Sequence, residues 1–193
     1  MNANHPTPAA RSTDAPVPPA GSGPGPGLGP LVRADGHWFL GDHESAAYLA
    51  LLPGGFEHRV AGQEPFLVPW NRLMSLELGV TSGRFLSTPA DGLLTGRDGT
   101  GADGSWLNTM VRHPYDVWRP RFVHHRRWYP QPEITLLRQL LGDVVDLGRV
   151  DRLGDDAWLT RVVEQLAADR FLRRWRTSRA VAQGVQEIIT RGA

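Results

Sequence analysis

The sequence contains neither cysteine nor lysine. Without cysteine it has no disulfide bond, no thiolate nucleophile, no iron–sulfur cluster and no cysteine-ligated zinc. Without lysine it has neither Schiff-base chemistry nor the lysine of a P-loop. All 21 basic residues are therefore arginine, and 20 acidic residues leave a formal net charge of +1. This balance gives the chain as a whole no electrostatic preference for nucleic acid or membrane, so only a local cluster can supply one.

Long apolar runs are also lacking. The longest, at residues 46–52, is far shorter than the roughly 20 residues that a membrane-spanning helix needs. The first thirty residues hold a single arginine and no apolar core of a secretory signal. The 193 residues suffice for one ordinary domain, or for a small domain with an appendage. We therefore expect a cytoplasmic protein without a transmembrane segment.

Residues 1–30 lack aromatic side chains and hold eight of the 16 prolines and five of the 22 glycines. Such a segment buries too little apolar surface to offset the entropy of ordering its backbone. Its glycines follow neither the GxGxxG nor the GxxxxGK[ST] spacing of phosphate-binding loops. The composition therefore predicts a disordered tail.

Residues 31–105 are predicted to form a small antiparallel sheet. Short apolar segments recur there at a spacing of roughly ten residues and are separated by turn signals, such as the Pro-Gly-Gly at 53–55. This spacing favours a meander of strands over strands that alternate with helices. The predicted strands cover residues 46–52, 56–60, 66–70 and 73–80, with a fifth at 85–86.

Within residues 38–88, an apolar strand, a turn, a Gly-Phe strand and a second turn precede the sequence Leu-Val-Pro-Trp-Asn-Arg-Leu. This order resembles the first half of bacterial PH-like and GRAM-like domains, in which a strand ends in a Pro-Trp pair, as at Pro69 and Trp70 here. The resemblance implies a barrel-like sheet that finishes with three more strands and one capping helix. The sequence departs from this pattern at residues 89–105, where many glycines and aspartates predict a solvated loop.

Residues 106–193 are predicted to form a helical region packed on the sheet. The first helix begins at Pro132 and stops at Gly148, and Asp155 or Asp156 caps the second. A third helix begins near Arg170. The apolar stripes of the first two helices are, in chain order, Ile134, Leu137, Leu141, Val144 and Val145, then Trp158, Leu159, Val162, Val163 and Leu166.

The stretch 106–129 joins the two regions and concentrates arginine, histidine and aromatic residues around a single acid, Asp116. Arginine can bind phosphate or carboxylate with two parallel hydrogen bonds, and aromatic rings stack on bases or on partner side chains. The alternative is structural: the aromatic residues form a helix face buried on the sheet, and the arginines pair with nearby acids. The candidate binding residues are Arg119, Arg121, His124, Arg126, Arg127 and Trp128.

Two blocks, RHPYDVWRPRFVHHRRWY and the later LGDDAWL, together resemble a group of uncharacterised actinobacterial proteins over residues 106–166. This resemblance implies no activity. It implies only that both blocks belong to one folded unit.

Motifs that carry a catalytic mechanism are lacking. No pair of histidines, or of histidine and glutamate, has the spacing that places two metal ligands on one helix face, and no GxSxG is present. We interpret Asp143 and Asp146 as part of a solvated helix face. The sequence therefore assigns no catalytic residue, no metal and no cofactor. A small hydrolase or metalloenzyme using His113, His124 or His125 is the less favoured alternative.

The sequence thus predicts an α+β protein with a disordered tail, a small antiparallel PH-like sheet or partial barrel, and a C-terminal helical region. The favoured function is that of a non-catalytic interaction or adaptor protein, which binds a protein partner through arginine and aromatic side chains. Binding of nucleic acid or another anionic ligand is the second hypothesis, and the net charge of +1 does not favour it.

Overall fold

The structure, a computed structural model, describes residues 27–80, 105–169, 172 and 178–192. The predictions for residues 1–26, for a strand at 85–86, for most of the loop at 89–105 and for the start of the third helix near Arg170 lie outside these residues. Within them, ten strands precede three α-helices. The prediction of an α+β fold, with an antiparallel sheet followed by helices, is confirmed.

The first sheet is an antiparallel meander in which each strand pairs with its neighbours in the chain. Three of its strands agree with predicted ones, and three more precede them. Residues 27–30, predicted to belong to the tail, instead form a strand and the turn after it. The strands are β1 (Gly27–Leu28), β2 (Leu31–Ala34), β3 (His37–Leu40), β4 (Ala47–Leu52), β5 (Gly55–Val60) and β6 (Phe66–Pro69).

Most of the second sheet lies where the sequence predicted helix, although its first strand lies within the strand predicted at residues 73–80. It consists of β7 (Glu77–Gly79), β8 (Ser105–Val111), β9 (Asp116–Trp118) and β10 (Arg121–Phe122). Strand β8 is central: β7 pairs with one edge, and β9 and β10 pair with the other. The prediction that residues 106–122 are helical is therefore wrong. The alternation of β8 was hidden because two of its inward positions, Ser105 and Thr109, are polar.

The helices are α1 (Gln131–Asp146), α2 (Asp156–Ala168) and α3 (Ser178–Arg191), and a 3₁₀ turn at Val150–Gly154 joins the first two. All five residues of the stripe predicted for α2 are buried. Asp155 caps α2 as predicted, since its carboxylate accepts the N–H of Trp158 at 3.0 Å. None of the described helices is long and apolar enough to cross a membrane.

One core fills the space between the inner face of the first sheet, the second sheet and the helices. Arg33 of β2 ties the first sheet to α2 through two hydrogen bonds of 2.8 Å to the carboxylate of Asp156. The interpretation of Asp143 as part of a solvated helix face is wrong, because this side chain is only 2% exposed. Its carboxylate accepts a hydrogen bond from Gln139 at 2.8 Å, and burial raises the pKa of Asp143.

Candidate functional site

The six predicted binding residues do not form one cluster. Four of them lie on the segment 123–130 between β10 and α1, here called the connector. In the connector, Nε2 of His124 is in hydrogen-bond contact with the hydroxyl of Ser105. Its ring lies between those of Phe122 and Tyr129, at centroid distances of 6.2 and 5.4 Å. Ser105 is 0% exposed, so this contact joins the connector to β8 and does not present a serine hydroxyl to solvent.

His125 is held by the hydroxyl of Tyr129. The hydroxyl oxygen accepts the backbone N–H of His125 at 2.9 Å and lies 2.7 Å from ring atom Nδ1. The hydroxyl can donate its proton to Nδ1 or accept a second hydrogen bond from it, depending on the histidine tautomer. Nε2 is buried and has no hydrogen-bond partner among the described residues. Burial lowers the pKa of His125, and the charge of Arg127 lowers it further, while burial raises the pKa of Tyr129 to about 12.

Acidification is expected to destabilise the protein through His125. Because its pKa falls below the ordinary 6.5 on folding, the unfolded chain binds the proton more readily. This contribution to stability is complete above about pH 6.5 and is lost as the pH falls toward the lower folded-state value. We expect the urea midpoint to drop between about pH 7.5 and pH 5.5, and to drop less in His125→Asn, which keeps an acceptor for Tyr129.

A more alkaline pH range provides the control for the comparison of His125→Asn with the parent protein. Between about pH 7.5 and pH 8.5, histidine is neutral in both the folded and the unfolded chain, so the two proteins should show the same pH dependence. An acid-induced loss as large in His125→Asn as in the parent protein contradicts this role of His125.

Arg127 anchors the connector to the start of the first sheet. Its Nη2 donates to the carbonyl oxygen of Gly29 at 2.9 Å, and its guanidinium carbon lies 5.6 Å from the ring centroid of Tyr129. The N–H of Gly29 in turn donates to Glu133 of α1 at 3.1 Å. The other two predicted residues of the connector, Arg126 and Trp128, are exposed.

Arg119 and Arg121 lie elsewhere, on the exposed face of the second sheet. Residues directly opposite each other in antiparallel strands share a face. Trp106 of β8 lies opposite Gly79 and Arg121, Asn108 lies opposite Glu77, and Met110 lies opposite Val117. We call this surface the outer face, which comprises Glu77, Gly79, Trp106, Asn108, Met110, Val117, Arg119 and Arg121.

Side-chain contacts organise the outer face along β8. The indole of Trp106 lies over Gly79, where an added β-carbon would be 2.1 Å from the indole Cε2. In the next row, the amide of Asn108 donates to Glu77 at 3.1 Å and accepts from Nε of Arg119 at 3.2 Å. The face therefore presents an aromatic ring, a polar row and an apolar row in succession.

Exposed apolar residues lie on or beside the second sheet and on β6 of the first sheet. Of the eight large hydrophobic side chains that are exposed among the described residues, Met110 and Val117 belong to the outer face. Four more lie on β6, in the β8–β9 turn or beside β8: Phe66, Leu67, Met74 and Tyr115. The rings of Phe66 and Trp118 lie 5.8 Å apart, on the inward side of the second sheet, because Trp118 lies opposite the buried Thr109.

The described residues form no ion pair with the arginines of the outer face. Four described arginines elsewhere form ion pairs within 4 Å, namely Arg33, Arg59, Arg152 and Arg191. In the described part of the chain, no such pair involves Arg119 or Arg121. Among the described residues, the alternative that the arginines pair with nearby acids therefore does not hold for Arg119 and Arg121.

His113 lies apart from the other two candidate histidines, in the exposed turn between β8 and β9, with its ring 5.8 Å from that of Tyr115. Within residues 27–80, 105–169, 172 and 178–192, no group of three or more histidine, aspartate or glutamate side chains is placed to hold a metal ion.

Sequence reasoning named Arg119 and Arg121 but missed Trp106, Asn108, Met110 and Val117 as surface residues. The available signal was their spacing: residues 106, 108 and 110 alternate with buried positions.

Comparison with family models, with curated proteins and with solved structures finds no match, so the resemblance to PH-like and GRAM-like domains and to actinobacterial proteins stays a prediction.

Proposed function

We propose that the chain is a non-catalytic interaction protein of the bacterial cytosol, and that it binds a protein partner through the outer face of its second sheet. One observation carries the proposal: Trp106, Met110 and Val117 share an exposed face with Arg119 and Arg121, whose charges no ion pair balances among the described residues. Tryptophan, methionine and arginine are enriched in protein interfaces, and tryptophan and arginine supply much of their binding energy.

The core supports the outer face from behind, and α1 supports it at the outer edge of β7. Inward residues of β8 are buried in the core, with Leu107 at 0% exposure. At the far edge of β7, Arg138 of α1 donates to the carbonyl oxygen of Leu78 at 2.8 Å, which occupies an acceptor that an edge strand otherwise leaves open. A face held this way loses little conformational freedom on binding, which favours affinity.

The composition of the outer face favours a protein over nucleic acid. Nucleic-acid sites neutralise several phosphates with clustered cations and exclude carboxylates from the path of the backbone. Here Glu77 lies on the same face, and Met110 and Val117 occupy one end of it. The remaining predicted arginines, Arg126 and Arg127, lie on the connector.

The test is capture of the partner from cells that make the protein, followed by rebinding of the identified partner in purified form. Trp106→Ala is expected to raise the Kd about 30-fold, which corresponds to about 2 kcal/mol for a central tryptophan. The matched control is Trp128→Ala, which removes an exposed tryptophan from the connector and is expected to leave the Kd within about threefold. If Trp128→Ala or Arg126→Glu weakens binding and Trp106→Ala does not, the interface is the connector and the proposal is wrong.

A further inference from the structure

The outer face has a fixed order of chemical groups along one line. Three rows follow β8: Arg121 beside Trp106, then Arg119 bonded to Asn108, then Val117 beside Met110. Alternate residues of a strand lie about 7 Å apart, so the three rows span about 14 Å. The surface therefore offers two cationic positions and one apolar position at equal intervals.

The spacing of the two cations is built into the backbone. Pro120, the residue between Arg119 and Arg121, is buried, and its carbonyl oxygen accepts the N–H of Leu107 at 3.0 Å. This hydrogen bond holds the arginine pair against β8. The pair lies on the outer side because alternate residues of an extended chain share a face.

Two acids of the second sheet are engaged with other donors among the described residues. Glu77 accepts the amide of Asn108, and the Asp116 carboxylate accepts the N–H of Val117 at 2.7 Å. The described residues engage Arg119 only through Nε, which orients its guanidinium plane. Its two Nη groups have no hydrogen-bond partner among the described residues, and a carboxylate can accept two parallel hydrogen bonds from such a planar pair of donors.

We infer that the partner presents an extended acidic segment in which two carboxylates and one apolar side chain occupy alternate positions. This inference rests on the proposed function, because it names the partner of the same face. The carboxylates bind Arg121 and Arg119, and the apolar side chain packs between Met110 and Val117. Alternate side chains of an extended chain repeat at the same interval as the three rows, so one segment of five residues reaches all of them.

The inference is tested with synthetic peptides of about nine residues, since side chains at alternate positions of that length cover the face. The probe contains Glu-Ser-Glu-Ser-Leu between Gly-Ser ends. One comparison peptide replaces both glutamates with lysine, and another replaces the leucine with serine. Binding is followed through the NMR signal of the Trp106 indole N–H, identified by its loss in Trp106→Phe.

We expect the probe to shift the Trp106 signal with a Kd at least about tenfold lower than either comparison peptide, and to bind more weakly as salt rises from about 50 to 200 mM. In the double variant Arg119→Gln/Arg121→Gln, the glutamate probe should lose its advantage, which means that it binds with the same Kd as the lysine peptide. Arg126→Gln is the control, since it removes an arginine from the connector, and it should leave the advantage intact. Equal urea midpoints establish that the variants are folded.

Three outcomes overturn the inference: the lysine peptide binds as well as the probe, the Arg119→Gln/Arg121→Gln variant binds unchanged, or a thymidine oligonucleotide shifts the Trp106 signal at lower concentration than the probe does. Failure of the proposed function has a different signature. If Trp106→Ala weakens binding of the purified partner and the acidic probe does not bind, the outer face is an interface. Only the inference of an acidic segment is then wrong. If Trp106→Ala leaves the Kd of the purified partner unchanged, the proposed function itself is wrong.

Discussion

Gly55→Ala is expected to lower the free energy of unfolding by about 3 kcal/mol, through overpacking and a strained backbone. A β-carbon at this position would lie 2.1 Å from the carbonyl oxygen of Val68, and Gly55 has a φ of +157°. The residue lies opposite Pro69 at the end of the β5–β6 pair. Relief of the clash requires the two strands to separate, because the obstructing atom belongs to the backbone. Urea denaturation of the two proteins measures the difference.

The preceding residue supplies a matched control. A β-carbon at Gly54 would meet no atom within 4 Å, so Gly54→Ala is expected to change stability by less than about 0.5 kcal/mol. Equal losses in Gly54→Ala and Gly55→Ala would show that general turn flexibility, and not the approach of β6 to Gly55, determines the effect.

Gly79→Ala is expected to weaken partner binding as much as Trp106→Ala does, by about 2 kcal/mol, although it removes no side chain from the interface. The added methyl group would lie 2.1 Å from Cε2 of the Trp106 indole, which therefore has to leave its place over β7. We also expect a loss of stability of about 1 to 3 kcal/mol, as for other insertions into packed contacts. The Kd of the purified partner and urea denaturation measure the two effects.

A double-mutant cycle tests whether Gly79 acts through Trp106. In a Trp106→Ala background the obstructing indole is gone, so adding Gly79→Ala should cost less than about 0.5 kcal/mol in stability and nothing further in binding. The same cost in both backgrounds would mean that residue 79 affects the outer face by another route.

The helical half of the fold was predictable because its signals are local. The stripe of α2, from Trp158 to Leu166, recurs at the period of a helix, and Asp155 precedes it in the position of a cap. The error at Asp143 has a tertiary cause. Helical spacing places this side chain near the polar side of α1, but the packing of α3 against α1 buries a second side of the helix, and Asp143 with it.

Of the second sheet, only β7 was predictable, because it lies within the strand expected at residues 73–80. Strand β9 has three residues and β10 has two, which is too short for an alternating pattern to emerge. Strand β8 is longer, but Ser105 and Thr109 occupy inward positions. Burial of these hydroxyls depends on contacts from other segments, such as that of Ser105 with His124 of the connector.

The concentration of arginine and aromatic residues in the stretch 106–129 is visible in the sequence alone. Which of these side chains serve the fold and which face outward was decided only by tertiary structure. Arg127 and His124 are bound to Gly29 and Ser105, residues distant in sequence. Arg119 and Arg121 share a face with Trp106 because of the pairing register of β8. Composition determines where such residues are concentrated, but a pairing register between distant segments determines which of them meet, and only the folded chain specifies it.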